Sequence, residues 1–356
     1  MKIFHSFFLL SGATLLVTGL ATGTVATADE KPHVVFGTNW LATATTGGFY
    51  QAAATGLYKK HGLDVEIKQG GPQINGLQLL LTGKIDFYLG DPIQTIKSVR
   101  QGAPLVTVAA AFQKTPQVII CHQDVSSLAD AKGHPMLIDQ SSAAQTFWPW
   151  LKMKYGYTES MRRPYTFSVA PFLNDDRMCQ QGYLGGEPFD IEKAGLNPSV
   201  FLLADQGYPP YAQTIVTRDE VAKEHPERVR AFVAATMEGW KSYLENPEPG
   251  NALIRQYNPE QPDERLSYGV SEMRKYDMLG SGDAEQHGIG TMSDARWKAI
   301  NDFMIETGQI DDDDTYKQAY SLEFVEHRPE QRRKKNGPAN AGPGTYLTRG
   351  SSSPAS

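Results

Sequence analysis

The sequence predicts an α/β fold in two lobes, and three observations carry that reading. Strand-like apolar runs alternate with helix-length segments over residues 33–111, and the alternation begins again at residue 117. A chain of 356 residues, 40% hydrophobic and 21% charged, has enough core-forming surface for two compact bodies. The strand-to-helix junctions also collect glycine, aromatic and short polar residues, at the places where open sheets turn helix starts and free N–H groups toward a ligand.

His33-Val-Val-Phe-Gly37 reads as a strand, 47–60 as a helix, the alternating Leu63-Asp-Val-Glu-Ile-Lys68 as a strand and 74–83 as a helix. Ile85-Asp-Phe-Tyr-Leu-Gly90, a helix through Arg100 and a strand over 105–111 complete the first set. A strand at 117–121, a short helix from Val125, a strand at 135–139 and a helix over 141–155 form the second. After a strand at 212–218 the pattern becomes one amphipathic helix after another, from 219 to 308. In 228–244, Val229, Phe232, Val233, Met237, Trp240 and Leu244 fall on one stripe, which reads as core packing rather than a cofactor surface. The expected division is 29–117 plus 216–327 for lobe one and 118–215 for lobe two, with 117–121 and 212–218 as the crossovers.

The two ends differ from this body. Lys2 and His5 precede an apolar run, 7–20, that falls short of the roughly 20 apolar residues a spanning helix needs, and Ala26-Thr27-Ala28 follows as a small-x-small cleavage site. Residues 1–28 are therefore expected to be a signal peptide, with a retained anchor helix as the alternative. Residues 328–356 are rich in Gly, Pro and Ser around Arg332-Arg-Lys-Lys335 and read as a disordered basic tail. The formal charge of −6 divides unevenly: 27 Lys and Arg against 39 Asp and Glu in residues 29–327, but 6 against 1 in 328–356. An acidic body has no field to draw in phosphates, so a nucleic-acid partner is not expected.

Catalytic signatures are missing: there is no G-x-S-x-G, P-loop, H-E-x-x-H or strand-to-helix G-x-G-x-x-G. The acidic run 311–314 lacks the glycine and closing glutamate of a calcium loop. The eight histidines show no metal-ligand spacing, so no metal, cofactor or catalytic residue is expected. Cys121 and Cys179 can form one disulfide in an oxidising compartment or remain two separate core thiols.

Four junction clusters stand out: Thr38-Asn39-Trp40 with Thr43 to Tyr50; Leu89-Gly90-Asp91-Pro92; Asp139-Gln-Ser141-Ser142 with Trp148-Pro-Trp150; and Gln180-Gln-Gly-Tyr183-Leu-Gly-Gly-Glu187-Pro188-Phe189. Their glycines permit close backbone approach, their hydroxyls and amides offer short hydrogen-bond arms, and their rings offer faces for a planar group. In that order, Asn39-Trp40, Gly47-Gly-Phe-Tyr-Gln-Ala, Gly56-Leu-Tyr-Lys-Lys-His-Gly-Leu-Asp-Val-Glu-Ile, Gly83-Lys-Ile-Asp-Phe and Gln181-Gly-Tyr-Leu-Gly-Gly-Glu-Pro-Phe resemble the solute-binding proteins of the thiamine-pyrimidine, taurine and nitrate group, across about residues 33–325.

The resemblance implies a two-lobed periplasmic-binding-protein fold of type II, closing about a hinge on a small molecule. The ligand expected is a pyrimidine thiamine precursor, a related heteroaromatic, or a sulfonate- or nitrate-type anion, handed to the transmembrane subunits of an ABC permease by a monomeric periplasmic receptor. One enzymatic branch of the group, which makes the thiamine pyrimidine, carries a cysteine-rich loop and an essential histidine. This chain has only Cys179 near the corresponding loop and Thr46 where pyrimidine-related members often have histidine. Asn39, Trp40, Thr46, Tyr50 and Asp91 are expected to face the cleft from the first lobe, and Ser141, Trp148, Glu187 and Tyr211 from the second. By residue type, Trp40, Tyr50 and Trp148 would sandwich a ring, Glu187 would accept from an amino group, and the Ser141-Ser142 helix start would hold an anionic or carbonyl oxygen. Trp148 reads equally well as core, Glu187 as an internal brace and Tyr211 as loop packing.

Overall fold

The computed structural model describes residues 31–325, so the expected signal peptide and basic tail lie outside the described residues. Among the described residues ten strands run β1 His33–Gly37, β2 Asp64–Lys68, β3 Phe87–Gly90, β4 Leu105–Phe112, β5 Gln117–Cys121, β6 Met136–Ile138, β7 Arg162–Pro164, β8 Cys179–Tyr183, β9 Ser199–Leu202 and β10 Ala212–Arg218. They form two five-stranded sheets, ordered β2-β1-β3-β10-β4 and β7-β6-β8-β5-β9. In each sheet three strands are parallel and the other two are antiparallel to their neighbours, with helices on the faces. This is the two-lobed α/β architecture expected.

Among the described residues the chain passes between sheets only at 113–116 and 203–211, so β5 and β10 belong wholly to the second and first sheets and are not themselves the connections. Arg296 holds both connections. Its guanidinium donates to the carbonyls of Gln113 (3.1 Å) and Pro209 (2.5 Å) and lies over the Tyr211 ring, 5.3 Å from its centroid.

Burial explains the first sheet. All residues of β3 and all eight of β4 are buried, as apolar strands covered on both faces must be. The outer edge of β4 is closed by backbone bonds from Thr107 N to Ala319 O, Ala110 N to Gly290 O and Ser321 N to Thr107 O. The long helix Pro226–Glu245 lays Val229, Phe232, Val233 and Trp240 against this sheet, with the Phe232 ring stacked 4.2 Å from Phe87; Met237 and Leu244 lie at the margin of the stripe.

Three strands are not expected from the sequence: β7 and β8, which have no apolar signature, and β9, whose apolar Val200-Phe-Leu202 is short. Two helices are also shorter than their sequence pattern. The segment 47–60 breaks at Gly56, whose φ of 73° is left-handed, into Gly47–Ala54 and Leu57–Lys60. The segment 141–155 is regular only over Trp148–Tyr155, where Pro149 fits a first turn that needs no N–H there.

Cys121 and Cys179 are joined by a disulfide. The β5–β8 register, Gln117 opposite Tyr183 through Ile120 opposite Gln180, continues to put the two cysteines face to face, with Cα atoms 4.3 Å apart. That separation is characteristic of a directly opposed antiparallel pair outside the hydrogen-bonded positions.

Candidate ligand-binding cleft

Each sheet has a point where successive connections leave in opposite directions: between β1 and β3 in the first, and between β6 and β8 in the second. Loops beyond the carboxyl ends of strands at such points form a crevice. Here those loops carry Thr38-Asn39-Trp40 after β1, Asp91 after β3, Asp139 after β6 and Tyr183 at the end of β8.

The two sets of loops face each other and touch on both flanks. On one flank the helix Glu187–Lys193 meets Asp263–Lys275, which packs on the Ala44–Thr46 turn of the first lobe. Asp190 pairs with Arg265 at 2.8 Å, Tyr268 donates to Glu192, and the backbones of Gly185 and Gly269 approach so closely that a Cβ on Gly185 would lie 2.9 Å from Gly269 Cα. On the other flank Lys97 Nζ donates to Gln145 O at 2.8 Å and Gln309 Nε2 to Thr146 O at 3.1 Å. Across the mouth the rings of Trp40 and Phe167 stand 4.9 Å apart.

Asn39 is exposed and Trp40 partly exposed, directly beyond β1. Asp91 caps the helix Pro92–Arg100, its Oδ1 accepting from Ile93 N (2.9 Å) and Gln94 N (3.1 Å). Burial pushes its carboxyl above the usual range, opposed by those two N–H groups and by the Lys97 ammonium. Burial likewise pushes the hydroxyl of Tyr88 up to about 12, with Asp91 and Tyr183 adding to the rise. Tyr183 is 42% exposed to water, yet burial raises it to about 12 as well, with Asp91, Glu187 and Asp139 adding and the Gln117 side chain opposing. Tyr208, on the 203–211 connection, is raised still further by burial and then by Asp91, with the Thr146 hydroxyl opposing.

Several expected site residues are spent on the protein itself. Thr46 is buried, its Oγ1 donating to Thr43 O (2.9 Å) and accepting from Thr43 N (3.1 Å). Tyr50 is fully buried, edge-on to Tyr257 at 5.2 Å, so it offers no ring face to a ligand. Trp148 lies in the second-lobe core, its Nε1 donating to Glu159 at 3.2 Å, because the apolar face of its helix turns inward. Both Glu187 oxygens are occupied, Oε1 by the Tyr165 hydroxyl and Oε2 by Tyr183 N, each at 2.8 Å. Tyr211 is buried at the connection, bonded to Asp283 and accepting from Ser293 N. Ser141 is exposed, but no anion can use the start of its turn. The N–H groups of Ser141 (3.2 Å) and Ser142 (2.7 Å) already donate to the Asp139 carboxylate.

Gly47 and Gly48 also serve packing rather than ligand approach: a Cβ on either would fall 2.1 Å from the rings of Tyr243 and Trp240 respectively. Phe167 and Tyr183 are exposed on the cleft side; Tyr183 lies in one of the four junction clusters but is not among the residues expected to face the ligand, and Phe167 lies in none of them, while Tyr88 and Tyr208 are buried in the core. A separate concavity of about 370 Å³, lined by Lys132, Arg163, Arg177 and Asp175 among others, opens at the starts of β6, β7 and β8, the ends of the strands remote from the cleft.

Comparison with known proteins accords with this geometry. Residues 43–249 match the family described as NMT1/THI5 like. The riboflavin-binding protein RibY of Chloroflexus aurantiacus is 23% identical over 334 residues, covering 87% of this chain and 95% of that protein. The 4-amino-5-hydroxymethyl-2-methylpyrimidine phosphate synthase of Legionella pneumophila is 20% identical over 255 residues, covering 66% and 77%. The periplasmic aliphatic sulphonate binding protein SsuA of Escherichia coli superposes with a TM-score of 0.64 at 14% identity, over 87% of this chain and 98% of SsuA, which shows a shared fold. With its two sheets, its facing strand ends and more than half its length inside the family match, the chain belongs to the NMT1/THI5 like family and has the periplasmic binding protein fold.

Proposed function

We propose that this chain is the exported receptor of an ABC importer, and that its cleft closes on an uncharged or weakly basic planar heteroaromatic of flavin or aminopyrimidine type. One observation carries the choice of ligand. The segments that end β1, β3, β6 and β8, residues 37–46, 89–91, 138–147 and 181–187, hold Asp91, Asp139 and Glu187 and no lysine or arginine. The nearby Lys97 is tied to Gln145 O and Gln309 Oε1. An anion entering here would leave water to face carboxylates without a paired cation, which is costly in a partly desolvated site. A neutral ring loses little and gains stacking on Trp40 and Tyr183, and an exocyclic amine or ring N–H gains Asp91 or Asp139 as acceptor.

In this reading Asn39, Trp40 and Asp91 contact the ligand from one side and Tyr183, Asp139 and the edge at Ser141 from the other, while Thr46, Tyr50, Trp148, Glu187 and Tyr211 support them. The hinge lies at 113–116 and 203–211, and contacts made only when both walls meet the ligand favour the closed form. The similarity to a riboflavin-binding protein over most of both chains supports the ligand class, and the neighbours' fold supports a periplasmic site of action with permease subunits as partners.

A second reading, a pyrimidine-forming enzyme, draws on the similarity to the synthase. It lacks a reactive pair: both cysteines are joined to each other and no histidine lies in the four cleft segments. A thermal-shift series decides between ligand classes, because only a ligand of the folded state raises Tm. Riboflavin or 4-aminopyrimidine should raise it and taurine and nitrate should not; a rise with the anions alone would refute the proposal.

A further inference from the structure

Phe167 has a conformation and an exposure that the fold does not require. It follows β7 at the edge of the second sheet, its φ is 59°, a left-handed conformation costly for a residue with a Cβ, and its side chain is 48% exposed. Burial therefore does not explain the strain. The ring spans the cleft mouth instead, 4.9 Å from Trp40 of the first lobe on one side and 5.2 Å from Tyr165 on the other. Tyr165 is anchored in turn. It is 7% exposed, its N–H donates to Ile138 O, and its hydroxyl donates to Glu187, whose second oxygen holds Tyr183 N in the cleft wall.

We infer that Phe167 is an aromatic latch: it closes on Trp40 over the cleft mouth, and through Tyr165 and Glu187 its position is tied to the Tyr183 wall that faces the ligand. The latch slows ligand escape, so Phe167 sets residence time and favours ligands with a ring that fits beneath the closed pair. The last clause rests on the proposed ligand class; the closure of Phe167 on Trp40 does not. A strained backbone is retained where a side chain must be held in one place, and an exposed ring that reaches across to the opposite lobe is such a place.

The five tryptophans make the test direct. Trp148, Trp150, Trp240 and Trp297 are at most 3% exposed, so acrylamide reaches chiefly Trp40. In the full-length protein without ligand, Phe167→Ala should raise the acrylamide quenching constant at least twofold and Phe167→Tyr should leave it near the wild-type value. Phe167→Gly, which relieves the left-handed strain, should quench like Phe167→Ala but melt at a higher temperature, which separates loss of the latch from loss of folding. With riboflavin as probe, Phe167→Ala should speed dissociation about tenfold, a shift that corresponds to about 1.4 kcal/mol, with association little changed. Quenching that does not change in Phe167→Ala overturns the latch whatever the protein binds. Increased quenching without riboflavin binding by the wild type upholds the latch and refutes the ligand class. Increased quenching with unchanged dissociation overturns its role in retaining ligand.

Discussion

The two walls of the cleft reach similar shapes by different means. The first-lobe wall rests on strands that are buried throughout and mostly apolar, and on a helix whose Trp240 and Tyr243 press against Gly48 and Gly47. The second-lobe wall ends in β8, Cys-Gln-Gln-Gly-Tyr, buried up to its last residue yet mostly polar. Its order comes from specific ties: the Cys121–Cys179 disulfide, Gln181 Oε1 accepting from Asp139 N at 2.6 Å, and Glu187 holding Tyr183 and Tyr165. Dense packing tolerates no added volume but needs no single bond, whereas a tied wall depends on each tie.

Removing the disulfide should have the largest effect. A cross-link spanning 58 residues restrains the unfolded chain by about 4 kcal/mol in the loop-entropy account. Denaturant unfolding of the Cys121→Ser/Cys179→Ser double variant should show a loss of that order, and if hydrogen exchange finds the lost protection in the first sheet instead, the contrast between the walls fails. Gly48→Ala tests the packed wall. Its Cβ would overlap the buried Trp240 ring, and overpacking of this kind costs about 1–3 kcal/mol. A variant as stable as wild type would mean that the helix and ring at this interface are not in close contact. Glu187→Ala removes two hydrogen bonds to a charged acceptor, worth about 2 kcal/mol together in this half-buried position, and ligand affinity should fall with stability because the Tyr183 wall loosens. Stability loss with unchanged affinity would uncouple that wall from binding.

Asp91 should give the smallest effect, and its sign follows from its raised pKa. The folded state holds this proton more tightly than the unfolded state, so its contribution to stability falls as pH rises from the ordinary carboxylate range through the raised value. An asparagine in its place would keep the helix cap without titrating. Asp91→Asn should therefore show a shallower decline in Tm across that range than wild type, and a steeper one would contradict the burial of the carboxyl.

The same contrast governs how far the sequence could be read. Apolar alternation located β1 to β6 and β10, and Asn39-Trp40 was visible because a polar-aromatic pair directly follows the apolar strand β1. β8 carries no hydrophobic period, since Gln180 is buried and Gln181 is used to orient Asp139, so the strand, and with it the position of Tyr183, emerges only from pairing with β5 and β6. Trp148 and Tyr211 have the composition of ligand platforms, yet they pack inward, because a large ring beside a proline satisfies a core as readily as a cleft. Phe167 leaves no sequence signal at all: its role depends on a backbone angle and on a partner far earlier in the chain, Trp40.

If the acidic, aromatic cleft selects an uncharged ring over an anion, paired calorimetric titrations of the full-length protein with riboflavin and with ethanesulfonate will separate the two. Riboflavin should give saturable heat that is lost in Trp40→Ala, and ethanesulfonate should give none. Saturable binding of ethanesulfonate with no response to riboflavin would contradict that selection.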